Sequence, residues 1–266
     1  MHALAAFAAA ALLPGFTPVA GPAQGGTVLQ GTFPGGARPG YVYLPPAFDP
    51  SHCYPVVYLL HGMPGSPSEY LDGAGLTSFA DSAIPSGGVR AFIAVMPAAG
   101  TQPHYNGEWG GIWEQHVVDR VVPWIDARLP TIASPDGRVL AGLSAGGYGA
   151  VNIALRHPGV FGTVESWSGY FRPLRDGPFK DVPQSVLDAN DPVKLVPSEA
   201  QVLRADHIRF FLSSGPAHSH WFKPAETIAF AAELRRAGMH PTLRLFPSLR
   251  GEWTQQLASG LAWALP

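Results

Sequence analysis

Six consecutive residues, Gly142-Leu143-Ser144-Ala145-Gly146-Gly147, set one hydroxyl where an apolar run, Val139 to Leu143, gives way to a helical pattern, Ala145 to Arg156. A G-x-S-x-G turn between strand and helix needs glycine where the two elements nearly collide, and it holds the serine clear of both. In a chain with 31 glycines the bare pattern is weak, so its position between these two elements carries the signal. The chemistry that such a serine could do is nucleophilic attack on a carbonyl. The helix behind Ser144 points free N–H groups and its positive dipole end at the oxygen that becomes negative, with the Ala145 N–H as the first donor. A second donor is expected from the Met63 N–H, because His61-Gly62-Met63-Pro64-Gly65 follows another apolar run, Val56 to Leu60. His61 reads as the residue that orients this turn through hydrogen bonds, and not as the general base.

These groups need a scaffold. Thr27 to Phe33 and Tyr41 to Leu44 flank a Pro-Gly-Gly turn as an antiparallel pair would. Beyond them, Val56 to Leu60, Ala91 to Met96, Val139 to Leu143, Val164 to Trp167, Ile208 to Leu212 and Leu243 to Phe246 are short, nearly continuous apolar runs, the pattern of strands buried on both faces. Helical patterns separate most of them. In the clearest, Trp113, Val117, Val121, Ile125 and Leu129 recur at a spacing of four and form one apolar stripe; Ala145 to Arg156, Ala225 to Arg236 and Gln255 to Trp263 are the others. The alternation predicts an α/β fold with a mostly parallel, doubly wound sheet and helices on both faces, its ligands at the carboxyl ends of the strands. Residues 170–205, rich in Pro and charge, interrupt the rhythm and are expected to cap the site.

A net charge of −2, with no run of Lys or Arg, excludes nucleic acid as an expected partner, and 46% hydrophobic content suffices for one large core. Cys53 is the only cysteine, which rules out an internal disulfide, a thiolate zinc site and a Cys-x-x-Cys redox pair; it reads as a packing residue ahead of a strand. The histidines are dispersed, so no metal site is expected. Ala3 to Leu13 is an unbroken apolar run followed by Pro14-Gly15 and small residues, but no Lys or Arg precedes Arg38. Residues 1–23 are therefore expected to be an atypical export segment or the trailing part of a membrane segment, with the globular domain over 24–266, and the expected location is outside the cell or in its envelope.

The residues resemble the esterase family that includes esterase D, enterochelin-esterase-like hydrolases and the mycobacterial mycolyltransferase antigens. The resemblance runs from Val42 to the C-terminus and is carried by Tyr41-Val42-Tyr43-Leu44-Pro45-Pro46, Leu59-Leu60-His61-Gly62, the Trp109 to Trp113 segment, Ala141 through Ala150 and Ser166-Trp167-Ser168-Gly169. It implies an α/β-hydrolase with a Ser–acid–His triad, no cofactor and ester cleavage or acyl transfer on a small-molecule, lipid or glycan ester.

Two loops depart from that family's pattern. Its acid belongs a few residues beyond the position of Gly215, where this chain reads Pro216-Ala217-His218-Ser219-His220; its histidine belongs just before Trp253, where this chain has Gly251-Glu252. Two readings follow. Base and acid have exchanged loops, with His218 or His220 taking the Ser144 proton and Glu252 orienting the imidazole, since triads are defined by geometry and not by chain order. Alternatively the catalytic site is degenerate and the domain keeps an esterase shell for binding or a role in the cell envelope. Asp188, Asp191 and Glu226 are spare acids that more simply cap helices or turns. Among the aromatic residues near the expected mouth, Trp113 and Trp167 read as core, and Trp109, in a glycine-rich turn, as the candidate substrate contact. Oligomeric state leaves no mark in the sequence.

Overall fold

The computed structural model describes residues 11–19, 25–217, 223–248 and 252–266. Nine strands form one sheet: β1 (Thr17–Pro18), β2 (Thr27–Gly31), β3 (Gly40–Leu44), β4 (Val56–Leu60), β5 (Ile93–Met96), β6 (Arg138–Leu143), β7 (Thr163–Trp167), β8 (Arg209–Ser214) and β9 (Thr242–Leu245), in the order β1-β2-β3-β5-β4-β6-β7-β8-β9. The first three and the β3–β5 pair are antiparallel, and every pairing from β5 through β9 is parallel. The helices are α1 (Glu69–Asp72), α2 (Leu76–Ala83), α3 (Ile112–Gln115), α4 (Val122–Asp126), α5 (Ala145–Arg156), α6 (Gln184–Asp188), α7 (Pro192–Ala205), α8 (Pro224–Arg236) and α9 (Glu252–Ala264). This is the expected α/β architecture. One apolar cluster fills the face under α3, α4 and α5; a second fills the face under α2 and α9.

A π-helical stretch, His116–Val121, joins α3 to α4, and it explains the stripe at a spacing of four. A step of four overshoots a 3.6-residue turn by about 40°. The wider π turn takes up that drift. Val117, Val121 and Ile125 are therefore fully buried in line, with Trp113 and Leu129 buried at either end.

The structure revises four local expectations. The boundary at residue 23 lies further upstream, because Leu13 and Phe16 are in the core, Phe16 packs on Phe33 and Trp124, and β1 extends the sheet; residues 1–10 and 20–24 are outside the described residues. Cys53 is exposed, and its neighbour Tyr54 takes the interior position. β9 is an edge strand with Leu245 47% exposed, not buried on both faces, because nothing pairs beyond it among the described residues. Within 170–205 the second half is α7, packed on α5 and α8 as an ordinary crossover helix between β7 and β8, so only its first half reaches the strand ends. Among the described residues no helix is long and apolar enough to cross a membrane.

Candidate active site

β6 ends at Leu143 and α5 starts at Ala145, leaving Ser144 alone between them with φ 51° and ψ −114°. A non-glycine residue in that region stores on the order of 1–3 kcal/mol of backbone strain. Two contacts show why the sequence folds this way: a methyl group at Gly142 would stand 2.2 Å from the Gly146 backbone, and one at Gly146 would stand 1.8 Å from the Leu60 carbonyl oxygen. Strand and helix pass so closely that only glycine fits. The Ser144 N–H donates to the Trp167 carbonyl (2.9 Å), and the Tyr148 N–H to the Ser144 carbonyl (3.1 Å), so the backbone is fixed on both sides.

The side chain lies between two clefts. One of about 610 Å³ is lined by Met63, Pro64, Asn106, Ser144, Tyr170, Leu174, Arg175 and Asp176. The other, of about 270 Å³, is lined by Gly62, Met63, Pro64, Glu69, Gly73, Ala74, Leu143, Ser144 and Trp253. Met63 borders both, and an added methyl on Gly62 would lie 3.7 Å from the Ser144 Cβ, so the turn after β4 runs directly beside the serine. Among the described residues neither the Met63 nor the Ala145 N–H has a hydrogen-bond acceptor. Two amide donors therefore stand near one hydroxyl at the amino end of a twelve-residue helix.

His61 is buried and spends both ring nitrogens on backbone: Nδ1 donates to the Gly62 carbonyl (2.9 Å), and Nε2 accepts from the Ala99 N–H (3.1 Å). Burial pushes its pKa down to about 4, so it is neutral and unsuited to take a proton from Ser144. Trp109, the expected substrate contact, is fully buried; its Nε1 donates to the His61 carbonyl (2.9 Å) and its ring packs on the imidazole. The Gly107 to Gly111 turn folds inward because Gly149 and Gly110 leave room for the Trp109 and Phe179 rings, so Trp109 supports the site from below and does not face the cleft. Trp113 and Trp167 are core, as expected.

Glu252, the first residue of α9, is buried against the loop after β8: a methyl on Gly215 would lie 2.2 Å from its Oε1. Ser168 Oγ donates to Glu252 Oε1 (2.7 Å) and accepts from the Gly215 N–H (3.1 Å) and Gln256 Nε2 (2.9 Å), while Ser213 Oγ donates to Gln256 Oε1 (2.6 Å). The final helix thus delivers a carboxyl group to the loop after β8. His218 and His220 lie outside the described residues. The spare acids are committed elsewhere: Asp191 caps α7 and pairs with Arg172, Asp188 pairs with Lys194, and Glu226 with Lys223. Among the described residues no group of His, Cys, Asp and Glu could hold a metal ion.

Sequence reasoning missed Tyr70 and Glu69. The buried Tyr70 hydroxyl donates to the Leu60 carbonyl (2.5 Å) and accepts from the Leu143 N–H (3.2 Å), tying the ends of β4 and β6 together. Glu69 accepts from the Gly62 N–H (3.3 Å) and the Ser66 N–H (3.0 Å) across the Met63 turn. A signal was present in Ser66-Pro67-Ser68-Glu69, a capping-box pattern that opens α1.

The family model described as "Esterase: Putative esterase" matches residues 32–263. An esterase of Mycobacterium tuberculosis is 33% identical over 123 residues, 44% of this chain and 25% of that protein, so the chain matches about a quarter of this curated relative's length. Among solved structures, a ferulic acid esterase superposes with a TM-score of 0.73 at 24% identity, over 90% of this chain and 92% of that one. An S-formylglutathione hydrolase of Staphylococcus aureus does so with a TM-score of 0.69 at 16% identity, over 91% and 98%. At these identities the superpositions show a shared α/β-hydrolase fold.

Proposed function

Because the chain belongs to the esterase family, we propose that it cleaves carboxylic esters through a covalent acyl-Ser144 intermediate. The observation that carries this reading is Ser144 itself, held at positive φ between two clefts, beside two amides that have no acceptor among the described residues. An elbow strained in this way has little structural use. In the proposed cycle the Ser144 hydroxyl adds to the ester carbonyl while a histidine takes its proton, and the Met63 and Ala145 N–H groups hold the oxyanion. The intermediate collapses, the leaving alcohol takes the proton from the imidazolium, and water or an acceptor alcohol then releases the acyl group by the same steps in reverse. Hydrolysis and acyl transfer differ only in that acceptor.

For base and acid we propose the exchanged arrangement, His218 or His220 with Glu252. The buried position of Glu252 against Gly215 supports it. Strands in a sheet lie roughly 5 Å apart, so a carboxylate held at the ends of β7 and β8 is about one to two strand spacings from the elbow, which leaves room for one imidazole between them. The test is labelling by a fluorophosphonate probe and turnover of p-nitrophenyl acetate. Wild type is expected to react and Ser144→Ala to lose both signals; equal behaviour of the two proteins sinks the reading.

A further inference from the structure

Beneath the larger cleft lies a carboxyl group that the proposed reaction does not use. Glu108 is fully buried, and among the described residues no Lys, Arg or His pairs with it. Both of its carboxyl oxygens lie 2.9 Å from the Tyr170 hydroxyl, and Oε1 also accepts the Leu174 N–H (3.1 Å). Tyr170 and Leu174 form the cleft wall shared with Ser144. The Tyr170 ring in turn stacks on Tyr148 of α5 at 5.4 Å, so the wall is fixed at one end by the nucleophile's own helix and at the other by Glu108.

We propose that Glu108, in its protonated form, is a positioning residue for this cleft: it pins the Tyr170–Leu174 wall, and loss of its proton leaves a buried, unpaired charge that opens the wall to water. The Tyr170 hydroxyl bridges both carboxyl oxygens, and full burial with no cation paired to the group among the described residues is what favours the neutral acid. The groups facing Glu108 favour that state. They are Tyr170, Tyr105 and Tyr148, all neutral at ordinary pH, and Asp176, an acid. Of the two cations in the wall segment, Arg175 is turned away onto the Val182 carbonyl and Gln184, and Arg172 pairs with Asp191. Burial pushes the Glu108 pKa up to about 8, with the Tyr170 and Leu174 hydrogen bonds only partly offsetting it.

The inference rests on the esterase reading only in taking the cleft for the substrate site, and the experiment separates the two. Hydrogen exchange of the peptide containing Tyr170 to Asp176, corrected for intrinsic pH dependence, needs no substrate. In wild type it is expected to accelerate about tenfold from pH 7 to pH 9, and in Glu108→Gln, whose side chain cannot ionise, to stay flat. In parallel, KM for p-nitrophenyl butyrate is expected to rise about 5- to 10-fold over that range in wild type, the loss that one or two methylenes no longer packed on the opened wall would cause. kcat should change less, and Glu108→Gln should show no such rise. Exchange that is flat in wild type, or that accelerates equally in Glu108→Gln, overturns the inference. Absence of Ser144-dependent turnover sinks the esterase reading, and exchange alone then decides the role of Glu108.

Discussion

Replacement of Gly146 by alanine tests the geometry on which the site depends. The added methyl would stand 1.8 Å from the Leu60 carbonyl oxygen, 2.5 Å from the Leu60 carbonyl carbon and 2.9 Å from the His61 oxygen. Non-bonded atoms rest at about 3.5–4.0 Å, so the shortfall exceeds 1 Å by a wide margin. All three neighbours are backbone atoms at the end of β4, which is paired to β5 on one side and β6 on the other, so the first turn of α5 must move instead. Overpacking of this kind costs about 1–3 kcal/mol. At about 2–4 °C per kcal/mol for a domain of this size, Tm falls by roughly 2–12 °C. The moving turn carries Ser144 and the Ala145 N–H, and a displacement of about 1 Å costs on the order of 100-fold in rate. Thermal melts and kcat on p-nitrophenyl acetate measure the two effects, with Gly88→Ala, where the methyl meets nothing closer than 3.4 Å, as the neutral control. A Gly146→Ala protein that melts with wild type and keeps its kcat within about twofold would refute the argument.

Further outcomes are expected. Tyr70→Phe strips the buried partners Leu60 O and Leu143 N–H of their shared hydroxyl and should cost about 1–3 kcal/mol in chemical denaturation, with a lower kcat; unchanged stability would show that the tie between β4 and β6 carries no weight. Glu252→Gln should lower kcat at least about tenfold while the protein stays folded, and His218→Ala or His220→Ala should lower it further; unaltered rates in all three remove the exchanged arrangement. His61 gives a pH signature. The unfolded chain takes up a proton near pH 6.5 that the buried imidazole refuses until about pH 4, so its contribution is present above 6.5 and lost as pH falls through that window. The loss is at most ~3.4 kcal/mol, the fall from 6.5 to about 4 taken at 1.36 kcal/mol per pKa unit. His61→Asn should abolish that slope, and an identical pH–stability curve for both proteins would contradict it.

The elbow was legible because its constraint is local. Gly142 and Gly146 stand out where a β-period run meets a helical one, and the structure accounts for both through single backbone contacts. The central strands were legible for a related reason: burial on both faces forces continuous apolar runs, and the predicted Val56 to Leu60 coincides with β4. Edge β9 was misread because Leu243 and Leu245 look the same whether a neighbouring strand covers them or not. Trp109 was misread because a glycine-rich turn says that the chain bends and not which way its largest side chain points; that was set by the room left at Gly149 and by the carbonyl of His61.

The sequence by itself determined the serine elbow, its turn and the parallel sheet behind it, since each follows from residue types a few positions apart. Only the tertiary structure decided which side chains meet at the ends of the strands. Glu252 and Ser168 are 84 residues apart, Glu108 and Tyr170 are 62 apart, and Tyr70 and Leu143 are 73 apart. Contacts across such separations exist because the sheet brings the ends of β4, β6, β7 and β8 side by side, and no local pattern of residues records which side chains will meet there.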